Sequence, residues 1–385
     1  MQFYELTEFL RLSAVLNYQL SSRHVHWDNI LTIILGRRRI PDGEREALIK
    51  AVDYLGHMYG QRKRRLGSLA ILHPLRATAL LTNVSTDLSM IDIMTELLHD
   101  NFEDIKPKKT PLNEWIRKSE FGTFLKNTNH VDQRQLVQRL KWLTKGETES
   151  YYQYIGRLLE EAKGTPEVIR VKLADRLDNT LDMRIDLEDT LESVDFFETI
   201  FQVLFTDSYR GYKPDSPHPP TTVMNGSQRL YQLFKNTVLM SLIRQNDAIH
   251  GDKPAREIFK YLARASMKEA QRNVLHIFGY HMSSAAVGHF RELLIDAMEY
   301  AQKGGVSAVT SPDETKALDG LFIERFDHPI KAVRRQKLEE LYKNKSLMIE
   351  ASIAFIVIFL SFMNDPNFYI RGISAEGVRP QKVNY

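Results

Sequence analysis

The octet Leu97-Leu98-His99-Asp100-Asn101-Phe102-Glu103-Asp104 sets one imidazole beside three carboxylates, directly behind an apolar run of Ile91, Ile93, Met94, Leu97 and Leu98. Read as a helix, the run turns Leu97 and Leu98 toward a core and makes His99 and Glu103, and Asp100 and Asp104, i,i+4 neighbours. Three acids this close repel one another and resist burial unless a positive charge sits among them. A divalent cation would supply that charge; the bland alternative is a solvated helix end that carries acids.

Two other stretches bear on that choice. His73 precedes Pro74, which favours an extended His73 and a helix starting at Pro74, and four basic residues, Arg62-Lys63-Arg64-Arg65, lie just upstream with Gly67. The run Ile169 to Thr180 is helical, with Val171, Ala174, Leu177 and Leu181 on one face and Asp175 and Asn179 paired at i,i+4. An aspartate in so apolar a helix is either exposed or held by a partner, and for the helix alone exposure is the simpler reading. Together, His73, His99, Asp100 and Asp175 would come from three helices, as a bundle-core metal site requires. Two imidazoles and two carboxylates suit manganese, iron or zinc rather than calcium. With a position left to water, such a set serves phosphoester cleavage.

Helices must position these groups, and the chain predicts an all-α protein. Residues 1 to 56 are helical in pattern, Pro41-Asp42-Gly43 is a turn, and Leu112 to Phe124 and Tyr151 to Ala162 are further helices. A first domain spans 1–200. A proline-rich linker or loop, with Pro214, Pro217, Pro219 and Pro220, falls in 201–226, and a helical C-terminal region of unassigned role occupies 227–385. There the patterns cover about 227–246, 254–282, 285–303, 313–325 and 329–345. Ala351 to Met363 is apolar but shorter than the ~20 residues that span a bilayer, so it reads as a buried helix or strand. Its use in forming a homo-oligomer stays open.

Composition narrows the chemistry. The 385 residues carry a net charge of only +3, so no global field calls for nucleic acid or an anionic membrane. The chain has no cysteine, which excludes disulfides, thiolate catalysis and zinc–thiolate sites and suits a reducing cytoplasm. The opening Met-Gln-Phe-Tyr-Glu-Leu-Thr-Glu lacks the basic region of a secretory signal. No phosphate-cradling glycine loop and no serine nucleophile motif is present.

The order of His73, His99-Asp100 and Asp175 resembles the HD superfamily of metal-dependent phosphohydrolases. Three segments narrow it: His73-Pro74; Leu97-Leu98-His99-Asp100 with Glu103-Asp104; and Lys172-Leu173-Ala174-Asp175-Arg176-Leu177 with Asn179. They resemble the hydrolase domain of the RelA/SpoT family over roughly residues 40 to 190. The resemblance implies an HD-type helical bundle that removes the 3′-pyrophosphate of guanosine tetra- and pentaphosphate using Mn²⁺. It implies that His73, His99, Asp100 and Asp175 are the metal ligands, and that Glu103 and Asp104 position and activate the attacking water. One helical turn beyond the ligands, a carboxylate can reach that water. Arg64 and Arg65 match a substrate-binding pair suited to stacking on guanine and to bidentate phosphate contact. Asn179 matches an asparagine near the nucleoside, and Thr144-Lys145 a mainly structural element.

The sequence departs from the family in four places. Ser68-Leu69-Ala70 replaces a Glu-Pro-Tyr segment, an extra residue sits between Gln61 and Arg64, Asp178 stands where the family has histidine, and Glu96 where a small residue is usual. These touch base recognition more than metal binding. They leave another 2′- or 3′-phosphorylated nucleotide such as NADPH, or a nucleotide-binding regulatory module, as alternatives. No stretch resembles the synthetase signatures of long family members, so the resemblance is to a hydrolase-only relative with an extension of about 190 residues.

Overall fold

A computed structural model of the chain describes residues 5–65, 67–128, 131–184, 194–206, 209, 211, 224–283, 286–311, 315–328 and 330–378. Pro214, Pro217, Pro219 and Pro220, and the basic tail from Arg379, lie outside these residues. The fold is all-α; its strands among the described residues form one short hairpin, Ile373–Ser374 against Gly377–Val378. There are two compact units, each assembled from separate stretches of chain. The first comprises Met1–Glu147, Arg157–Asp182 and Ala248–Tyr261, and the second Thr148–Gly156, Met183–Asp247 and Leu262–Tyr385.

The first unit contains α1 (Leu6–Leu20), α2 (Trp27–Leu35), α3 (Asp42–Tyr59), α4 (Leu72–Val84), α5 (Met90–Leu98), α6 (Leu112–Lys118), α7 (Glu120–Lys126), α8 (Gln133–Leu143), the later part of α9 (Tyr151–Glu161) and α10 (Glu167–Asp182). Its centre is α4, buried on every side from Leu72 to Thr82, which is why this helix shows no polar stripe. It packs against α1, α2, α5 and α10. Helix α5 starts at a capping box in which Asp92 accepts the Ser89 backbone N–H at 2.7 Å. The same Asp92 pairs with Arg139 of α8, so one buried carboxylate fixes both the start of α5 and its neighbour. On α10, Arg170 is held by Asp87 and Asp252, each at 2.8 Å. Helices α4, α5 and α10 are thus rigid supports for whatever projects from them.

Two sequence expectations change here. His73 is not extended: α4 begins at Leu72 and includes both His73 and Pro74. Proline is tolerated in a first turn because the amides there have no intrahelical acceptor to lose. The segment Leu112 to Phe124 is two helices, because Ser119 closes α6 and caps α7 by accepting the Gly122 N–H.

The second unit contains α11 (Phe196–Phe205), α12 (Gly226–Gln245), the later part of α13 (Lys253–His276), α14 (Val287–Gln302), α15 (Lys331–Lys343) and α16 (Lys345–Asn364). Phe234, Phe322, Phe326 and Phe355 stack at its core, with centroids 5.1–6.2 Å apart for the closest pairs. The described part of 313–325 is mostly turn, running into a π-turn at Phe322–Phe326, rather than the helix its pattern suggests. The apolar run at 351–363 belongs to α16, which is 20 residues long. By length and composition α16 could cross a membrane, but 67% of its most apolar window is buried, against α12, α14 and α15.

Candidate metal centre

His73 projects from the first turn of α4, His99 and Asp100 follow the last residue of α5, and Asp175 sits mid-way along α10. The structure brings all four together. The two Nε2 atoms face each other at 3.1 Å. Asp100 bridges them, with Oδ2 3.2 Å from His73 Nε2 and Oδ1 3.3 Å from His99 Nε2. Asp175 Oδ1 lies 3.3 Å from His73 Nε2 and 3.7 Å from His99 Nε2. Asp175 is buried, so its surroundings overturn the exposure its own helix suggests.

The outer nitrogens decide what the inner ones can do. His99 Nδ1 lies 2.7 Å from the Glu96 carbonyl, and His73 Nδ1 lies 2.5 Å from Asp178 Oδ2. Both partners only accept, so each Nδ1 must donate and each neutral ring presents a lone pair at Nε2. Two lone pairs at 3.1 Å, with two carboxylates against them, repel unless a cation or protons intervene. Donors held about 2.1 Å from one cation lie roughly 3.0 Å apart at a right angle and about 3.4 Å at a tetrahedral angle. Four of the five observed separations, 3.1–3.3 Å, match that spacing and the fifth, 3.7 Å, is slightly wider, so the donor set fits a divalent cation.

Without a cation, protons take its place. Burial and Arg64 push the His73 imidazole down, but Asp178, Asp100 and Asp175 outweigh them and raise it to about 10. Burial lowers His99 too, yet Asp100 and Asp175 hold it well above its ordinary value. Burial alone would raise the two carboxyls. The imidazoles hold Asp100 well below the usual range, and Lys172 with the imidazoles does so for Asp175. Glu96 is fully buried behind His99, and burial pushes it up to about 8. A pH dependence follows. A raised histidine contributes stability fully below its unfolded value near 6.5 and loses it as pH rises through the folded value. A cation must displace those protons, so its apparent affinity should rise about tenfold per pH unit for each proton released. The gap in melting temperature between manganese-loaded and chelated protein should therefore widen from pH 6 to 8.5; a constant or shrinking gap contradicts this protonation pattern.

The rim is less regular than the octet implies. The chain does not continue as α-helix past Leu98: Asp100 adopts φ −87°, ψ 0°, and Asn101–Ile105 widen into a π-turn closed by Lys106 N–H on the Asn101 carbonyl at 3.2 Å. Glu103 therefore leaves His99 and accepts the backbone N–H of Lys145 at 2.7 Å, which gives the Thr144-Lys145 element a direct hold on the rim. Asp104 Oδ2 accepts the Tyr59 hydroxyl at 3.2 Å. Desolvation and the Asp100 charge raise both acids.

Arg64 and Asn179 also meet: the guanidinium donates to Asn179 Oδ1 at 2.6 Å and reaches Asp182 at 3.2 Å. A tight turn presents Arg64, with Gly67 at φ +88° and Arg64 N–H bonded to the Ser68 carbonyl at 2.8 Å. Arg65 lies on the exposed side of that turn and makes no ion pair among the described residues. Asn179 donates to Asp175 Oδ1 at 2.5 Å while Lys172 holds Asp175 Oδ2 at 2.7 Å, so the carboxylate is fixed at both oxygens. From sequence, Lys172 is part of a motif without a role of its own and Arg76 and Asp182 are passed over, although His73 and Arg76 are i,i+3 and Asp175, Asp178 and Asp182 repeat at helical spacing.

No family model matches the chain. It is similar to proteins named GTP pyrophosphokinase rsh: 28% identical over 153 residues to that of Brucella suis biovar 1 (strain 1330), covering 40% of this chain. The same identity and coverage hold for Brucella abortus (strain 2308). The match spans about a fifth of the length of these curated relatives, 19%.

Proposed function

We propose that the protein is a manganese-dependent phosphohydrolase that removes the 3′-pyrophosphate of guanosine tetra- or pentaphosphate, giving GDP or GTP and pyrophosphate. The observation that carries the reading is the pair of buried imidazoles whose Nε2 atoms face each other at 3.1 Å between two carboxylates. Similarity to proteins named GTP pyrophosphokinase supports a guanine nucleotide as substrate. His73, His99, Asp100 and Asp175 would hold the cation, which supplies Lewis acidity and lowers the pKa of water.

The protein's own groups do the rest. Glu103 and Asp104, raised by burial and by Asp100, sit at the rim where they can orient a water and accept its proton. Lys145 N–H and Tyr59 fix the directions of these two carboxylates. Arg64, steadied by Asn179 and Asp182, offers a planar cation to a guanine face or a phosphate. Removing general-base help costs about 10²–10⁴-fold. Glu103→Gln should therefore lower kcat by about 10²-fold while leaving manganese affinity within a few-fold; unchanged kcat, or loss of the metal with it, contradicts the assignment.

A second substrate class is favoured by Ser68-Leu69-Ala70, since the turn that presents Arg64 lacks the Glu-Pro-Tyr segment. Rates of phosphate and pyrophosphate release from guanosine tetraphosphate, guanosine pentaphosphate and NADPH, each with Mn²⁺, separate the readings. Preference for the guanosine polyphosphates supports the alarmone hydrolase. Exclusive turnover of NADPH would replace it, and tight binding without turnover would favour a regulatory module.

A further inference from the structure

Resting on the reading that this cluster holds a divalent cation, we propose that Asp178 is the positioning residue that makes His73 a metal ligand, with buried Arg76 holding the Asp178 carboxylate in place. The Asp178 carboxylate has no solvent exposure, and its Oδ2 lies 2.5 Å from His73 Nδ1. That bond fixes the proton on Nδ1, orients the ring and leaves Nε2 free to face Asp100, Asp175 and His99. Donation to a carboxylate also makes the opposite nitrogen a stronger electron donor than donation to a neutral carbonyl does. His99 Nδ1 bonds instead to the Glu96 backbone carbonyl at 2.7 Å, with the Glu96 carboxyl no nearer than 3.8 Å, so the two imidazoles are unequal ligands.

A bare carboxylate could not stay charged at this depth. Arg76, equally buried, donates to Asp178 Oδ1 through Nε at 2.8 Å and to Oδ2 through Nη2 at 3.2 Å. Nη2 also reaches Asp182 at 2.8 Å while Nη1 donates to Ser13 Oγ at 3.4 Å, and Asp182 meets Arg64 at 3.2 Å. A continuous line of alternating charge thus runs from Arg64, at the proposed substrate edge, through Asp182, Arg76 and Asp178 to His73. Helical spacing builds it: His73 and Arg76 are one turn apart on α4, facing Asp178 and Asp182 one turn apart on α10. The histidine that the family resemblance places at position 178 could not accept from both nitrogens of Arg76 while accepting from His73.

The test is calorimetric titration of Mn²⁺ into chelator-stripped full-length wild type, Asp178→Asn and Asp182→Asn, with far-UV circular dichroism confirming the fold of each. Asp182→Asn is the matched control, since it takes a carboxylate from the same arginine without touching His73. Loss of a carboxylate behind a ligating histidine costs about 10–100-fold in metal affinity. The expected result is a loss of that size in Asp178→Asn and less than about threefold in Asp182→Asn. Equal losses in both variants, or none in either, overturn the assignment. A wild type that binds no manganese overturns the metal reading itself and the proposal with it. Should Asp178→Asn fail to fold, the wild type decides: in the zinc-loaded, ¹⁵N-labelled protein, His73 must carry its proton on Nδ1. A proton on Nε2 refutes the proposal.

Discussion

Replacing His99 with alanine is expected to cut manganese-dependent turnover by about 10³-fold, the equivalent of the several kcal/mol that a catalytic cation contributes. His99 Nε2 is 3.1 Å from His73 Nε2 and 3.3 Å from Asp100, so its loss opens one side of a four-donor cluster. Asp100 and Asp175 would then face one imidazole instead of two. Because His99 is buried, truncation also leaves a small cavity behind α5, so stability must be followed separately. Titrating manganese while monitoring melting temperature makes the distinction. The wild type should be stabilised by the ion and His99→Ala should not, at a pH where both are folded. Activity in His99→Ala near the wild-type level would show that the imidazole pair is a structural hydrogen bond and not a metal site.

Arg76→Met is expected to be the most destabilising single change in the first unit. The guanidinium is fully buried, bonds Asp178 and Asp182 at 2.8 Å each, and lies over the Phe9 ring at 4.8 Å. Methionine fills much of the volume and keeps the contact with Phe9, but it strands two carboxylates. Breaking a buried ion pair from one side costs about 3–5 kcal/mol, a large share of the roughly 5–15 kcal/mol that holds a domain folded. Pairing Arg76→Met with Asp178→Asn should recover part of the loss, because one stranded charge is removed with its partner. All three tryptophans, Trp27, Trp115 and Trp142, belong to the first unit, so denaturant titration followed by tryptophan fluorescence reads this unit directly. A loss below about 1 kcal/mol would mean that Asp178 and Asp182 are satisfied without the arginine.

What could be seen beforehand follows from what each kind of signal contains. Apolar periodicity reports one helix at a time, and the all-α fold came through it because α3, α5, α9 and α10 each carry a clear apolar face or run. The four donors could be picked out because imidazoles and carboxylates inside apolar runs need partners. Which partners was not legible. Asp175 looked exposable on its own helix, and it is buried where α4 and α5 pack against α10. Nothing near Arg76 in the sequence marks it, since the carboxylates that neutralise it are about a hundred residues away on α10. The π-turn after Asp100 was equally hidden: Asn101, whose Oδ1 accepts the buried Tyr54 hydroxyl at 2.7 Å, anchors it through a tertiary contact. Local propensity favoured the α-helix that this contact overrides. Proline at 74 misled for a related reason, since the rule for the residue before proline weakens in a first helical turn.

The most direct test of manganese-dependent hydrolysis is anion-exchange analysis of guanosine tetraphosphate incubated with the full-length protein, with Mn²⁺ and with EDTA. The expected result is GDP and pyrophosphate in equal amounts with manganese and intact substrate with EDTA. Intact substrate in the manganese sample, from protein carrying one bound ion per chain, would contradict it.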